Sequence, residues 1–171
     1  MTSLIEEGDV VVDIGAHIGT FSALALTRTN IVHSYEPLKE NYDLLCKNAP
    51  NATKYNFALS FDGTTDNKKI VTDGFNTGGG VMNEEAGQEI VCKKFEDELI
   101  QYDNIDFLKI DIEGSEIGLL NHPEWLGMVD VLAIETHNHT FGQFYNFLFN
   151  CGFKFLKSHD KGELGLIICK R

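Results

Sequence analysis

No stretch of the sequence approaches the roughly 18–20 consecutive apolar residues that a membrane-crossing helix needs, so a membrane span is not expected. Runs of lysine or arginine are missing too, and 14 basic residues stand against 26 acidic ones for a formal net charge of -12. That balance repels a polyphosphate backbone and an anionic bilayer, which makes nucleic acid and membrane surfaces poor partners. The N-terminus has neither the basic segment nor the apolar segment of a secretory leader. Four cysteines (Cys46, Cys92, Cys151, Cys169) form no C-x-x-C pair, so reduced structural thiols in a cytoplasmic protein are expected. Gly78-Gly79-Gly80 is not followed by the Gly-Lys-Ser/Thr of a phosphate loop, and no Gly-x-Ser-x-Gly elbow exists, which argues against a P-loop enzyme and an α/β-hydrolase.

What is present is an alternation of buried strands and amphipathic helices over 171 residues, enough for one α/β domain. Val10 to Ile14 carries β-branched residues on both faces, as a central parallel strand covered on either side requires. It breaks at Gly15 and resumes at helical spacing from Gly19 to Leu26. A second strand, Ile31 to Glu36, stops at Pro37, and a helix from Leu38 to Asn48 leads to a third strand at Tyr55 to Leu59. Between Asp62 and Gly87 the periodicity vanishes, apart from a candidate hairpin around Lys68 to Thr72. A loop that long in a small domain is a functional element, so it is expected over the site with the triple glycine as its hinge. Strands follow at Phe107 to Ile112 and Val129 to Glu135, the first leading into a helix through Leu120. The helix Phe141 to Asn150 has its Phe141-Phe144-Phe147-Leu148 stripe in the core and ends at Gly152. Phe153 to Lys157 and Leu164 to Lys170 then form an antiparallel pair about Gly162. The chain thus divides into a cofactor half over about 9–61, a mobile loop over about 62–88 and a catalytic half over about 89–171.

The richest motif is Asp13-Ile14-Gly15-Ala16-His17-Ile18-Gly19 at the first strand-to-helix turn. Gly15 and Gly19 let backbone approach a ligand, and the following helix start offers unpaired N–H groups. Glu36 stands at the end of the second strand, about 20 residues on, where an acid accepts hydrogen bonds from ribose hydroxyls. His17 replaces the glycine that a pyrophosphate needs, and Asp13 would repel pyrophosphate while pairing with the amino group of a methionyl tail.

On these residues the sequence resembles the FkbM-type family of class I S-adenosylmethionine-dependent methyltransferases. Four segments carry the likeness: Val12 to Gly19, Tyr35-Glu36-Pro37 with Asn41, Asn56 to Ser60, and Leu108 to Glu116. The resemblance implies a Rossmann-like three-layer α/β/α fold with a seven-stranded, mostly parallel sheet and a terminal antiparallel strand. It implies S-adenosyl-L-methionine as methyl donor and O-methylation of a hydroxyl on a sugar, glycan or other small metabolite. Carried onto this chain, the cofactor contacts are Asp13, Gly15, Ala16, His17, Gly19, Thr20, Glu36, Pro37, Asn41, Asn56, Ala58, Asp111 and Glu113. Two departures stand out: His17 occupies a position where the family commonly has Asn, and the first strand comes almost at once, so the N-terminal helices that often help cover the substrate are expected to be short or absent. A second copy or a partner subunit completing the acceptor pocket is one expectation from that short start.

Removal of the hydroxyl proton needs a base near the strand ends, and Asp111, Glu113, Glu135, His137 and His139 are the candidates. His137 is the first choice because imidazole titrates near neutrality, with Asp111 and Glu135 beside it. Asp111, Glu135 and His137 could alternatively converge on a divalent ion of the Mg²⁺ type, a reading not favoured over an acid set serving the cofactor. Ser115 and Glu116 read as helix caps, and His17 and His139 as polar rim residues. Two rival functions remain on the same fold: an NAD-linked oxidoreductase and a non-catalytic domain that binds S-adenosylmethionine as a scaffold.

Overall fold

In the computed structural model the described residues are 1–61, 68–71, 81–83 and 87–171. From the N-terminus run β1 (Val10–Ile14), α1 (Thr20–Ala25), β2 (Ile31–Tyr35), α2 (Lys39–Asn48), β3 (Thr53–Tyr55) and β4 (Ala58–Ser60). The middle of the chain adds β5 (Lys68–Val71), β6 (Val81–Asn83), β7 (Gln88–Ile90), β8 (Cys92–Lys94) and α3 (Phe95–Leu99). After β9 (Ile105–Ile110) and β10 (Val129–His137) come α4 (Phe141–Asn150), β11 (Lys154–Asp160) and β12 (Leu164–Lys170). Seven strands form the main sheet in the order β11-β12-β10-β9-β1-β2-β3. Its left part is antiparallel, since β12 runs against both β10 and β11, and every other pair is parallel.

Alternation along the strands builds two apolar layers, one on each face of the sheet. Val12 and Ile14 of β1 and Leu108 and Ile110 of β9 join a cluster with Phe95, Leu119, Trp125 and Phe144. Val11 and Phe107 face the other way, toward Ala25 of α1 and Leu45 of α2. Burial on both faces explains the unbroken apolar run that marks β1 in the sequence. The α4 helix ends as its sequence predicts, with Gly152 in the left-handed region at φ 84°. Among the described residues no helix is long and apolar enough to cross a membrane. All four cysteines are free; Cys92 and Cys169 are buried.

Three expectations require correction. The third strand is not continuous from Tyr55 to Leu59: β3 belongs to the main sheet, whereas β4 pairs with β8 in a separate two-stranded sheet. Asn56 lies at the break because its side-chain amide donates to the carbonyls of Glu36 and Pro37, at 2.9 and 3.0 Å, and pulls the chain out of strand register. The segment without periodicity contains β5 and β6, which join β7 in a three-stranded antiparallel sheet of order β6-β5-β7. The expected glycine hinge at Gly78-Gly79-Gly80 lies outside the described residues. Finally, the helix predicted through Leu120 is a 3-10 segment, Ser115–Asn121, followed by another at Pro123–Met128. Gly114 enters it at φ 100°, Gly118 presses on Phe61, and Pro123 prevents extension as one helix.

The parallel pairing of β1 with β9 brings the turn after β1 against the end of β9. Gly15, at φ 77°, donates to the Tyr35 carbonyl, and a Cβ built on it would lie 1.8 Å from the carbonyl oxygen of Asp111. Glycine is therefore demanded here by the neighbouring strand rather than by a ligand, and Gly19 is likewise closed by Leu45. Gly15→Ala should lower unfolding free energy by more than about 2 kcal/mol in chemical denaturation, from left-handed strain plus the clash. Unchanged stability would show that the turn can move away from β9.

Candidate active site

The carboxyl ends of β1, β2, β9 and β10 converge on one edge, the place where open α/β sheets bind ligands. The first group is built around Glu36, which follows β2 and is buried. Its Oε2 accepts the backbone N–H of His17 at 2.9 Å, and its Oε1 accepts the N–H of Leu38 at 2.9 Å and the amide of Asn41 at 3.3 Å. Burial raises the Glu36 pKa, opposed by the hydrogen bonds from Leu38, Asn41 and His17. Among the described residues these three donors take three of about four acceptor positions on the carboxylate, which leaves room for a hydroxyl. His17 is held at φ 51°, a conformation that costs a non-glycine residue energy.

A second group lies under α1. Register places Ser34 of β2, Asp13 of β1 and Lys109 of β9 side by side on one face. Asp13 is 0% exposed; Ser22 of α1 donates to its Oδ2 at 2.6 Å, and Ser22 and Ser34 share a hydrogen bond of 2.8 Å. The Lys109 ammonium sits 3.3 Å from Asp13 Oδ1 and 3.5 Å from Asp111 Oδ2, and donates to the Gly15 carbonyl at 3.3 Å. Burial, the largest influence, works against that charge, yet Asp13 and Asp111 together outweigh it and hold the lysine pKa above its ordinary value.

A third group carries the titratable chemistry. Glu116 is 0% exposed, accepting the N–H of Gly114 at 2.8 Å on Oε2 and the N–H of His137 at 2.7 Å on Oε1. The same Oε1 lies 3.1 Å from His137 Nδ1, while His137 Nε2 faces Glu113 Oε2 at 3.4 Å. The Glu116 hydrogen bond raises the His137 pKa despite burial, and the Glu116 pKa falls because hydrogen bonds, first from the His137 ring, overcome its own burial. Glu113 is raised by burial, with His137 opposing. Glu135 is raised first by burial and then by the adjacent Asp111 carboxylate. Asp111 Oδ1 is buried and receives no donor among the described residues.

Some members of these groups border one cavity, which is lined by Gly15, His17, Glu36 and Pro37 and by Asp111, Glu113 and Ser115, while Lys109, Glu116 and His137 stand outside its lining. Leu38, Phe57, Ala58, Leu59 and Ile70 supply its apolar walls. Of the predicted cofactor residues, Gly15, His17, Glu36, Pro37, Ala58, Asp111 and Glu113 line it directly. Asp13 does not reach it, being enclosed by Ser22 and Lys109, and Ala16, Gly19, Thr20, Asn41 and Asn56 do not line it. Asn41 and Asn56 hold the Glu36 segment. His137 is brought to Glu113, and their ligand atoms together with that of Asp111 fall within 4.8 Å of one another. Glu135 is not in that set; it opens into a neighbouring cleft.

Sequence reasoning overlooked Lys109 and undervalued Glu116. A lone lysine between Leu108 and Ile110 in a buried strand was the signal for the first, since such a charge requires a partner. Nothing local distinguishes Glu116 from a capping residue, because its partner lies 21 residues away.

The sequence profile of a family described as the methyltransferase FkbM domain matches residues 13–155. Among solved structures the chain is similar to precorrin-6y C5,15-methyltransferase from Geobacter metallireducens GS-15, with TM-score 0.61 and 13% identity over 99% of this chain and 85% of that one. It is similar also to an rRNA methylase from Streptococcus thermophilus, with TM-score 0.58 and 10% identity over 99% and 90%. A third similar structure is Sp1610 from Streptococcus pneumoniae in complex with S-adenosyl-L-methionine, with TM-score 0.53 and 13% identity over 99% and 69%. At these identities the likeness is one of fold. No curated protein matches the sequence.

Replacing Lys109 by Met should cost about 3–5 kcal/mol, because it leaves two carboxylates without their shared cation. Adding Asp13→Asn should restore part of that loss, as a double-mutant cycle in urea would reveal. Additive losses would show that the pair is not coupled.

Proposed function

Since the chain belongs to the FkbM methyltransferase domain family, we propose that this S-adenosylmethionine-dependent methyltransferase acts on a hydroxyl oxygen of a sugar, glycan or other small metabolite. The carrying observation is the His137 imidazole, tied at Nδ1 to a fully buried Glu116 and directed at Nε2 toward the cavity acids. The cavity suits the cofactor chemically: a buried acid for a ribose at Glu36, apolar walls for a purine, and an Asp111 carboxylate whose Oδ1 receives no donor among the described residues. When bound, S-adenosylmethionine supplies an electrophilic methyl group on a sulfonium centre.

Glu36 would accept a ribose hydroxyl, and Leu38, Phe57, Leu59 and Ile70 would enclose the base. Asp111 and Glu113 provide the negative field at the positive centre. His137 donates Nδ1–H to Glu116, which leaves the Nε2 lone pair to take the hydroxyl proton. Glu116 thereby fixes the tautomer and stabilises the imidazolium that results. No step needs a metal ion. A small acceptor is favoured over RNA by the net charge of -12.

The test is calorimetry with S-adenosylhomocysteine together with transfer of labelled methyl from S-adenosylmethionine to hydroxylated sugars, small metabolites and RNA. Binding with transfer to the hydroxylated compounds is expected; labelled RNA alone would overturn the acceptor class, and binding without transfer to any acceptor would favour a scaffold. Glu36→Ala should weaken S-adenosylhomocysteine roughly 10- to 100-fold, the loss of about 1.5–3 kcal/mol for charged hydrogen bonds. Glu116→Gln should lower the His137 pKa, so the acidic limb of the rate profile moves to lower pH while kcat falls. The sign follows because an imidazolium without its carboxylate releases its proton more readily. An unmoved limb would remove Glu116 from the base.

A further inference from the structure

Glu135 leaves the cofactor cavity and opens into a second cleft, on the β10, β12 and β11 side of the sheet, whose other polar lining is entirely basic: Lys157, His159 and Lys161. Strand register explains the convergence. Leu166 of β12 is paired with Glu135 on one side and with His159 of β11 on the other, so the three side chains project from the same face in one transverse row. Lys157 stands two residues before His159 on the edge strand and shares that face, and Lys161 closes the row from the hairpin turn. The inner end of the row reaches Asp111, which borders the cofactor cavity. Asp111 on the cofactor cavity and Glu135 on the second cleft are thus electrostatic neighbours.

Three bases gathered in one cleft are unexpected in a chain with 14 basic residues and a net charge of -12. Among the described residues none of the three makes an ion pair, whereas Lys39, Lys93 and Lys109 all do. The nearby acids do not neutralise them: Asp160 and Glu163 do not line the cleft, and Asp160 accepts the N–H of Gly162 within its own turn. Glu135 lies at the far end of the row, its pKa raised first by burial and then by the Asp111 carboxylate. Two strand spacings separate Glu135 from His159, about 10 Å, a span on the scale of one sugar residue with an exocyclic acid group.

Resting on the methyl-transfer reading above, we propose that the acceptor is itself anionic: a hydroxylated sugar or small metabolite bearing a carboxylate or phosphate monoester, which Lys157, His159 and Lys161 bind while its hydroxyl is presented at the Asp111–Glu135 end. Two lysines and one histidine suit a single oxyanion. They are too few for the successive phosphates of an RNA strand, which the remaining acidic surface repels.

The test titrates glucuronate, glucose 6-phosphate, glucose and a short single-stranded RNA into the S-adenosylhomocysteine-loaded protein, followed by NMR. At least one of the two sugar acids should bind ten-fold or more tighter than glucose, and their ranking separates a carboxylate from a phosphate ligand. K157A/K161A should abolish that preference while leaving S-adenosylhomocysteine affinity within two-fold, which also reports a folded protein. Equal affinity for glucose and both acids, no binding of either acid, an unaffected double variant, or RNA binding tighter than both acids would each overturn the inference while leaving the cofactor reading in place. Failure to bind S-adenosylhomocysteine would overturn the cofactor reading and the inference with it.

Discussion

One largely enclosed ammonium holds the catalytic edge together. Lys109 reaches Asp13, Asp111 and the Gly15 carbonyl from the centre of the sheet, linking β1, β9 and the turn that follows β1. Its position is dictated by register, since Asp13 and Lys109 are direct neighbours across two parallel strands on the face covered by α1. A buried ion cluster of this kind gives little net stability compared with an apolar replacement, but removing one member strands the others. It therefore acts as a geometric constraint: with Lys109 in place, two carboxylates lie close together and the Gly15 turn is seated on the Asp111 backbone.

From that constraint the acids acquire different characters. Asp111 is anchored beside a cation, while partial burial and that neighbouring carboxylate raise the pKa of Glu135. On the other side Glu116 is kept ionised by His137 and two backbone N–H groups, and in return it raises the affinity of His137 for a proton. Separating the titration of neighbouring groups in this way lets one edge of a sheet offer both a negative field and a proton acceptor. Left-handed backbone at His17, Glu113, Asn138 and His139 is concentrated at the same strand ends, so local strain and chemistry coincide.

The element order and the doubly wound arrangement were legible because two-face burial leaves unmistakable apolar runs, as in β1, and because Gly152 and Pro37 punctuate helix ends. The place of Glu36 beside the glycine turn was legible from its distance to Gly15, and the structure puts both residues on one cavity. The splitting of the third strand was not, because it depends on Asn56 bonding back to carbonyls 19 and 20 residues earlier. Gly15 shows a subtler limit: the sequence announces that a side chain is forbidden there, but only the fold reveals that the excluded volume is filled by Asp111.

Taken alone, the sequence determined the α/β class, the edge of the sheet at which chemistry collects, and most of the residue types present there, because these depend on periodicity and on spacing within one strand-turn-helix unit. Tertiary structure decided which of those residues touch. Asp13 turned from a ligand contact into a partner of Lys109, Glu116 from a cap into the anchor of His137, and Glu135 into part of the lining of a second cleft. The physical reason is that strand register and side-chain burial are settled between elements far apart in the chain, and no local pattern encodes which opposite charge will lie across the sheet.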